Sequence, residues 1–345
     1  MKKLMEIAIA VLLVLVVVIG CSAPAEKSAA SEPATENVQP AEAPAEQPNE
    51  QSSEEPVGND KPVIGISVSG FAAPYFKALI AAAEMEAEAQ GVELKVLDAE
   101  WDSQKQATQV ESLIAAGCDV IEIIPCDSTA IIPTMEKVNA AGIPLVVVNT
   151  QHDPASEDLI VTFVGASMED EAAMAAEAVK EILGAEGGKV VIVEGAAGSF
   201  PAIHRTSGFL AAIEGANIEV LANQNAGWDR ATAMAVMEDF LTAYPDIDAL
   251  YAHDDNMVIG CIQAIKDAGR EDEIKVVSIS GTIEGYDAIR NGELYSTVSQ
   301  PPDWEGMMAV QVAVGILNGE EYPKWVKTPI AQVTAENVDK FKGVW

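Results

Sequence analysis

The sequence predicts an α/β protein of two lobes, each a doubly wound parallel sheet. Three observations predict it. After Lys61, short apolar runs of strand length alternate with amphipathic segments of helix length, the pattern of repeated βαβ units. The alternation comes as two similar series in tandem, divided by a bridge near Ile160–Ser167. Aromatic and planar polar residues then gather in the loops that follow the apolar runs, the side of an open α/β sheet where ligands bind.

The chain opens on Lys2 and Lys3, then an apolar run from Ile7 to Ile19, then Gly20-Cys21. Ile7 to Gly20 is fourteen residues, short of the ~20 that a membrane-spanning helix needs, so residues 1–21 read as a signal peptide. Val18-Ile19-Gly20-Cys21 resembles the lipobox of bacterial lipoproteins. That resemblance implies cleavage before Cys21, lipidation of its thiol, and a lipid-anchored protein on the extracytoplasmic face of the cell membrane, in a periplasm or at the cell surface. A retained single-pass anchor is the alternative.

Residues 22–60 are rich in Pro, Ala, Glu, Ser and Gln and nearly free of large apolar side chains. Such a composition buries too little surface to offset the entropy of ordering, and a disordered tether is expected. As a flexible coil it reaches roughly 35 Å. The remaining 285 of 345 residues suffice for two ordinary domains. The net charge of −34 makes nucleic acid a poor partner, because phosphate binding needs Lys and Arg, and is read simply as solubility. With Cys21 lipidated, Cys118, Cys126 and Cys261 remain, an odd set without CxxC spacing. That argues against a disulfide framework or a zinc site; small buried thiols are expected, and a Cys118–Cys126 bridge stays open.

Val63–Val68 reads as a buried strand. Pro74–Gln90 reads as a helix, with Phe76, Leu79, Ile80, Ala83 and Ala87 on one face and Gly91 as its stop. Val92–Leu97 is strand, Ser103–Ala116 helix, Val120–Ile124 strand, Thr129–Ala141 helix and Ile143–Val148 strand. After the bridge come helix Met168–Leu183, strand Lys189–Val193, helix Pro201–Glu214, strand Ile218–Leu221, helix Arg230–Ala243, strand Ala249–Ala252, helix Asn256–Ala268 and strand Lys275–Ile279. A later strand is Leu294–Ser299.

The loops after these strands supply Tyr75, Phe76 and Trp228 in a chain only 5% aromatic, with Asn149, Gln151, Arg205, Asp254, Ser280 and Gln300. Flat apolar faces beside planar polar groups suit a sugar or polyol. The C–H face of the ring packs on aromatics, while its hydroxyl edge meets bidentate side chains.

On these residues the chain resembles the ribose-type periplasmic binding proteins, solute receptors of sugar ABC importers. The resemblance spans Pro62 to about Val333. It rests on Pro74-Tyr75-Phe76, Ile143-Pro144 leading into Asn149, Gly195-(x)2-Gly198 and Arg205-x-x-Gly208-Phe209. Trp228-Asp229-Arg230, Tyr244-Pro245-Asp246, Asp254-Asp255-Asn256-Met257, Gly281-Thr282 and Gln300-Pro301 follow in order. It implies a type I periplasmic binding protein fold, with lobes of residues 61–165 plus 301–330 and 166–300 plus 331–345, joined by a multi-strand hinge. It implies a monomer that delivers a monosaccharide or polyol to an ABC permease and its ATPase, with no cofactor and no metal. The implied ligand residues are Ser69, Tyr75, Phe76, Asn149, Arg205, Trp228, Asp254, Ser280 and Gln300. Tyr75 or Phe76 and Trp228 would sandwich the sugar ring. Arg205 would donate to its oxygens, Asp254 would accept from two hydroxyls, and Gln300 would complete the edge. Pro302–Leu317 would pack on the first lobe.

The sequence departs from the ribose receptors at Ala73, where they carry Asn, at Asn149-Thr150, where they carry Asp-Arg, and at Ser280, where they carry Asp. A ligand other than ribose follows. An enzyme is disfavoured: His152, His204 and His253 show no metal spacing, and no Ser sits in a GxSxG elbow. Asp254-Asp255 could mimic an acid/base couple, but helix capping by Asp255 is the simpler role. A repressor built on the same fold would need a basic helix-turn-helix where this chain has a leader and an acidic tether. Presentation of a sugar or autoinducer to a sensor kinase or chemoreceptor remains the alternative to transport.

Overall fold

The computed structural model describes residues 61–345; the leader, Cys21 and the tether lie outside the described residues. The first series gives β1 (Val63–Val68), α1 (Pro74–Gln90), β2 (Glu93–Asp98), α2 (Ser103–Ala115), β3 (Val120–Ile123), α3 (Ile132–Ala140), β4 (Leu145–Val148) and β5 (Thr162–Gly165). The second gives α4 (Met168–Leu183), β6 (Gly188–Glu194), α5 (Phe200–Ala212), β7 (Ile218–Asn225), α6 (Arg230–Ala243), β8 (Ala249–Ala252), α7 (Asp255–Asp267), β9 (Lys275–Ser280), α8 (Ile283–Arg290) and β10 (Ser296–Ser299). Then come α9 (Pro302–Leu317), β11 (Trp325–Lys327) and β12 (Ala331–Thr334).

Local chemistry sets these boundaries. Pro74 opens α1, where its missing N–H costs nothing, and Gly91 closes it in the left-handed conformation at φ 72°. The side chains of Asp102, Ser167, Asp229 and Thr282 cap the helices that follow them.

Two sheets result, ordered β11-β5-β4-β3-β1-β2 and β12-β10-β9-β8-β6-β7. All pairings are parallel except β12 on β10. In each sheet the winding reverses, between β1 and β3 and between β6 and β8, which opens a crevice at the strands' carboxyl ends. The chain passes between sheets after β5, after β10 and between β11 and β12, so α9 lies against α1 of the first sheet. Gly306 permits that contact: a Cβ there would sit 2.0 Å from the Leu79 carbonyl.

Three expectations change. The bridge at Ile160–Ser167 contains β5, an inner strand of the first sheet. The helix read from Thr129 begins at Ile132, because Asp127 Oδ1 accepts the Thr129 and Ala130 amides at 2.9 Å and holds a turn there. Helix α8 and the edge strands β11 and β12 were not anticipated. The three thiols are free, with Cys118 and Cys261 buried and Cys126 half-buried.

One core residue is anomalous. Glu122 lies on β3 between Ile66 of β1 and Val146 of β4. That face of the sheet packs Val120, Ile124, Val310 and Ala313 into one apolar cluster. Glu122 is fully buried and neither carboxyl oxygen has a partner. Burial pushes its carboxyl up to about 8.

Candidate ligand cleft

The carboxyl ends of the two sheets enclose a cavity of about 50 Å³. Eight of the nine predicted residues line it: Tyr75, Phe76 and Asn149 from the first sheet's loops, and Arg205, Trp228, Asp254, Ser280 and Gln300 from the second's. Ser69 does not. It is fully buried at the end of β1, where its carbonyl receives the Trp101 amide at 2.6 Å.

The backbone is strained where the cavity forms. Among the described residues five non-glycines have positive φ: Glu100 (53°), Trp101 (61°), Asn149 (59°), Trp228 (63°) and Ser280 (130°). All but Glu100 line the cleft. Such conformations cost on the order of 1–3 kcal/mol each and survive only where the surroundings over-determine them. Here they are over-determined. Asn256 Nδ2 donates to the Trp228 carbonyl at 2.9 Å. The Trp228 indole lies across Gly195, where a Cβ would fall 2.0 Å from the ring. Trp101 lies across Gly70 in the same way, with Nε1 2.4 Å from such a Cβ. Asp255 fixes the Ser280 turn by accepting the Gly281 and Thr282 amides at 2.9 and 2.8 Å.

Behind the aromatic walls runs one chain of hydrogen bonds. Arg205 Nε and Nη2 donate to Glu171 Oε2 at 3.0 and 2.7 Å, Nη1 to the His253 carbonyl at 2.9 Å, and Nη2 also to Gln300 Oε1 at 3.0 Å. Gln300 Nε2 donates to Glu305 Oε1 at 3.1 Å. Glu305 further accepts Thr328 Oγ1 at 2.7 Å, Tyr75 Oη at 2.8 Å and Asn149 Nδ2 at 2.9 Å. Burial alone would push the guanidinium down, but Glu171 outweighs it and Arg205 stays charged. Burial likewise drives His253 well below the ordinary imidazole range, aided by Arg205, so its ring is neutral.

This wiring revises the roles expected of the polar side chains. Four of the five Arg205 N–H donors are engaged within the protein, which leaves one on Nη1 for a ligand. Asp254, not Asp255, caps α7: its Oδ1 accepts the Met257 amide at 2.7 Å, which leaves Oδ2 and the second lone pair of Oδ1 for hydroxyls. Burial raises Asp254 to about 7 against the pull of that amide. Asp255 is buried one residue inside the helix and receives Thr297 Oγ1 at 2.8 Å and the Ser278 hydroxyl as well.

Sequence reasoning missed Trp101, Met168, Pro201 and Trp345 on the cavity wall. Trp101 had a signal, since it follows β2 at a strand's carboxyl end. Glu171 and Glu305 sit in the first turns of α4 and α9. Acidic residues there read as complements of the helix dipole.

Comparison with known proteins matches the chain and its fold to periplasmic binding proteins. A model of the periplasmic binding protein domain matches residues 64–321. The ribose import binding protein of Bacillus subtilis is 35% identical over 274 residues, 79% of this chain and 88% of that protein. A Bacillus halodurans ABC transporter solute-binding protein, solved with bound myo-inositol, superposes with a TM-score of 0.77 at 32% identity, covering 82% of this chain and 98% of that one. The fructose-binding periplasmic domain of a hybrid two-component system superposes with a TM-score of 0.74 at 28% identity, covering 81% and 92%.

Proposed function

The chain belongs to the periplasmic binding protein family, and from that premise we propose that it is a non-enzymatic receptor for a monosaccharide or cyclic polyol, held at the extracytoplasmic membrane face by a lipid on Cys21 and delivering its ligand to an ABC permease. One observation carries the ligand class: Tyr75, Phe76, Trp101 and Trp228 wall the same small cavity that Arg205 and Asp254 line. Aromatic faces cover the C–H surface of a saturated ring, and the remaining Arg205 donor and Asp254 acceptor meet its hydroxyl edge. Because the walls come from both sheets, a ligand that touches both binds the closed arrangement better than an open one. That difference in affinity drives hinge closure. The lipid anchor rests on the lipobox pattern and the tether composition alone.

Calorimetry of residues 61–345 against pentoses, hexoses and cyclic polyols is expected to find one class that binds with a Kd of roughly 1 μM or tighter. Trp228→Ala is expected to weaken that ligand by about 2 kcal/mol, or ~30-fold. Binding by no member of the panel sinks the sugar reading, and an unaffected Trp228→Ala removes the indole from the ligand site.

Likeness to the two-component fructose-binding domain supports sensing as a second reading. An adjoining permease and ATPase gene pair favours delivery, whereas an adjoining histidine kinase gene favours sensing.

A further inference from the structure

Trp345 lines the cleft although nothing in the local sequence leads to it. The segment that carries it is anchored on the second lobe. Val338 and Phe341 join the apolar cluster around α6, α7 and α8, and the Phe341 ring lies 6.2 Å from Tyr286. Gly343 lies so close to α8 that a Cβ would fall 2.7 Å from the Ile283 backbone. The Ile283 amide then donates to the Trp345 carbonyl at 2.9 Å.

From that anchor the last residues reach the first lobe. Val344 borders the groove between α1 and α9, beside Ala78 and Trp304. The Trp345 indole meets Tyr75 edge to face, with ring centroids 5.5 Å apart at 89°. Tyr75 is itself tied to Glu305 through its hydroxyl. The segment is thus a strap from one lobe to the other along the cavity wall.

The indole Nε1 is buried and has no hydrogen-bond partner. An indole N–H is a donor only, and leaving a buried donor unpaired is costly, so buried Trp usually places that group on an acceptor. The strap bonds through its backbone to α8, and its one side-chain donor remains unused beside the cavity.

We infer that Trp345 is a ligand-contacting residue whose ring closes the cleft against Tyr75 and whose Nε1–H donates to an oxygen of the bound sugar or polyol. The inference rests on the ligand class proposed above. It adds a second donor to a site in which Arg205 offers a single free N–H. It also specifies the ligand: a ring oxygen, ether or hydroxyl must lie at the cavity wall beside Tyr75.

Two measurements on the full chain in detergent test it. In calorimetry with the best ligand of the panel, Trp345→Ala is expected to weaken binding at least tenfold. Trp345→Phe, which keeps a ring but not the donor, is expected to weaken it about fivefold, the loss of one hydrogen bond. Wild-type affinity in Trp345→Ala overturns the ligand contact, and wild-type affinity in Trp345→Phe overturns the donor role. Hydrogen–deuterium exchange without ligand reads the strap separately. Trp345→Ala is expected to speed exchange in peptides spanning residues 73–80 of the first lobe, and Trp345→Phe to restore their protection. Unchanged exchange there overturns the closure. Should no panel member bind the wild type, the sugar reading fails, while the exchange result still decides whether Trp345 joins the lobes.

Discussion

Replacing Arg205 with Met is expected to abolish ligand binding and to lower the unfolding free energy by about 3–5 kcal/mol, the cost of leaving one partner of a buried ion pair alone. Glu171 is fully buried, and burial already holds its carboxyl above the ordinary range against the pull of Arg205, so the variant leaves that carboxyl in the interior without its partner. Arg205→Lys is expected to recover little, since an ammonium cannot span Glu171, the His253 carbonyl and Gln300 at once. The double variant Arg205→Met/Glu171→Met should regain most of the stability and none of the affinity. Urea unfolding alongside calorimetry checks both. A single Arg205→Met variant as stable as wild type would show that the ion pair is not what holds α4, α5 and β8 together.

The second large effect lies far from the cleft. Glu122→Leu is expected to stabilise the protein, and increasingly so as the pH rises from about 5 to about 8. The folded state holds the Glu122 carboxyl up to about 8, because burial opposes its ionisation. The unfolded chain releases that proton near the ordinary glutamate value of about 4.3. Between those two values the native state binds more protons than the unfolded one, so wild-type stability falls as pH rises through this window. The slope approaches about 1.4 kcal/mol per pH unit, and the accumulated penalty has an upper bound of about 5 kcal/mol above pH 8. Leucine fits the apolar neighbourhood of Ile66 and Val146 and removes the titration. Glu122→Gln keeps the shape and also removes the titration, but it buries an unsatisfied amide and should gain much less. The difference in unfolding free energy between wild type and Glu122→Leu, followed against pH, is the measurement. A pH-independent difference would mean that Glu122 is ionised in both states or in neither.

The elements with strong periodicity were legible from residues alone. Val63–Val68, Pro74–Gln90 and Arg230–Ala243 stand where the apolar spacing and the flanking Pro74, Gly91 and Asp229 put them. The missed strands are short. β5 has four residues and follows a 3-10 turn from Pro154 to Leu159, so its apolar run is too brief to separate from a connection. β11 and β12 have three and four residues, mostly half-buried, and take their structure from the sheet edges they join.

The cleft was legible in part for a related reason. Residues that end strands announce themselves by position, which is why Asn149, Trp228, Asp254 and Gln300 could be named. What those residues do depends on partners brought from elsewhere. Glu305 lies 230 residues from Tyr75 and 156 from Asn149, and no local pattern links them. Asp254 and Asp255 are adjacent and chemically alike, and only the helix register decides which one caps and which one is buried.

The left-handed residues around the cavity have a consequence for how this receptor could change its ligand. At Trp101, Asn149, Trp228 and Ser280 the side chain and the local backbone are fixed together, so replacing the residue there also disturbs the path of the chain. Evolution and engineering alike then have two kinds of position to work with. Ala73, Met168 and Pro201 face the same cavity from ordinary backbone, and exchanging them puts no new residue at a positive-φ position. New specificities should therefore arise first at those three, while the four strained positions act as a fixed frame.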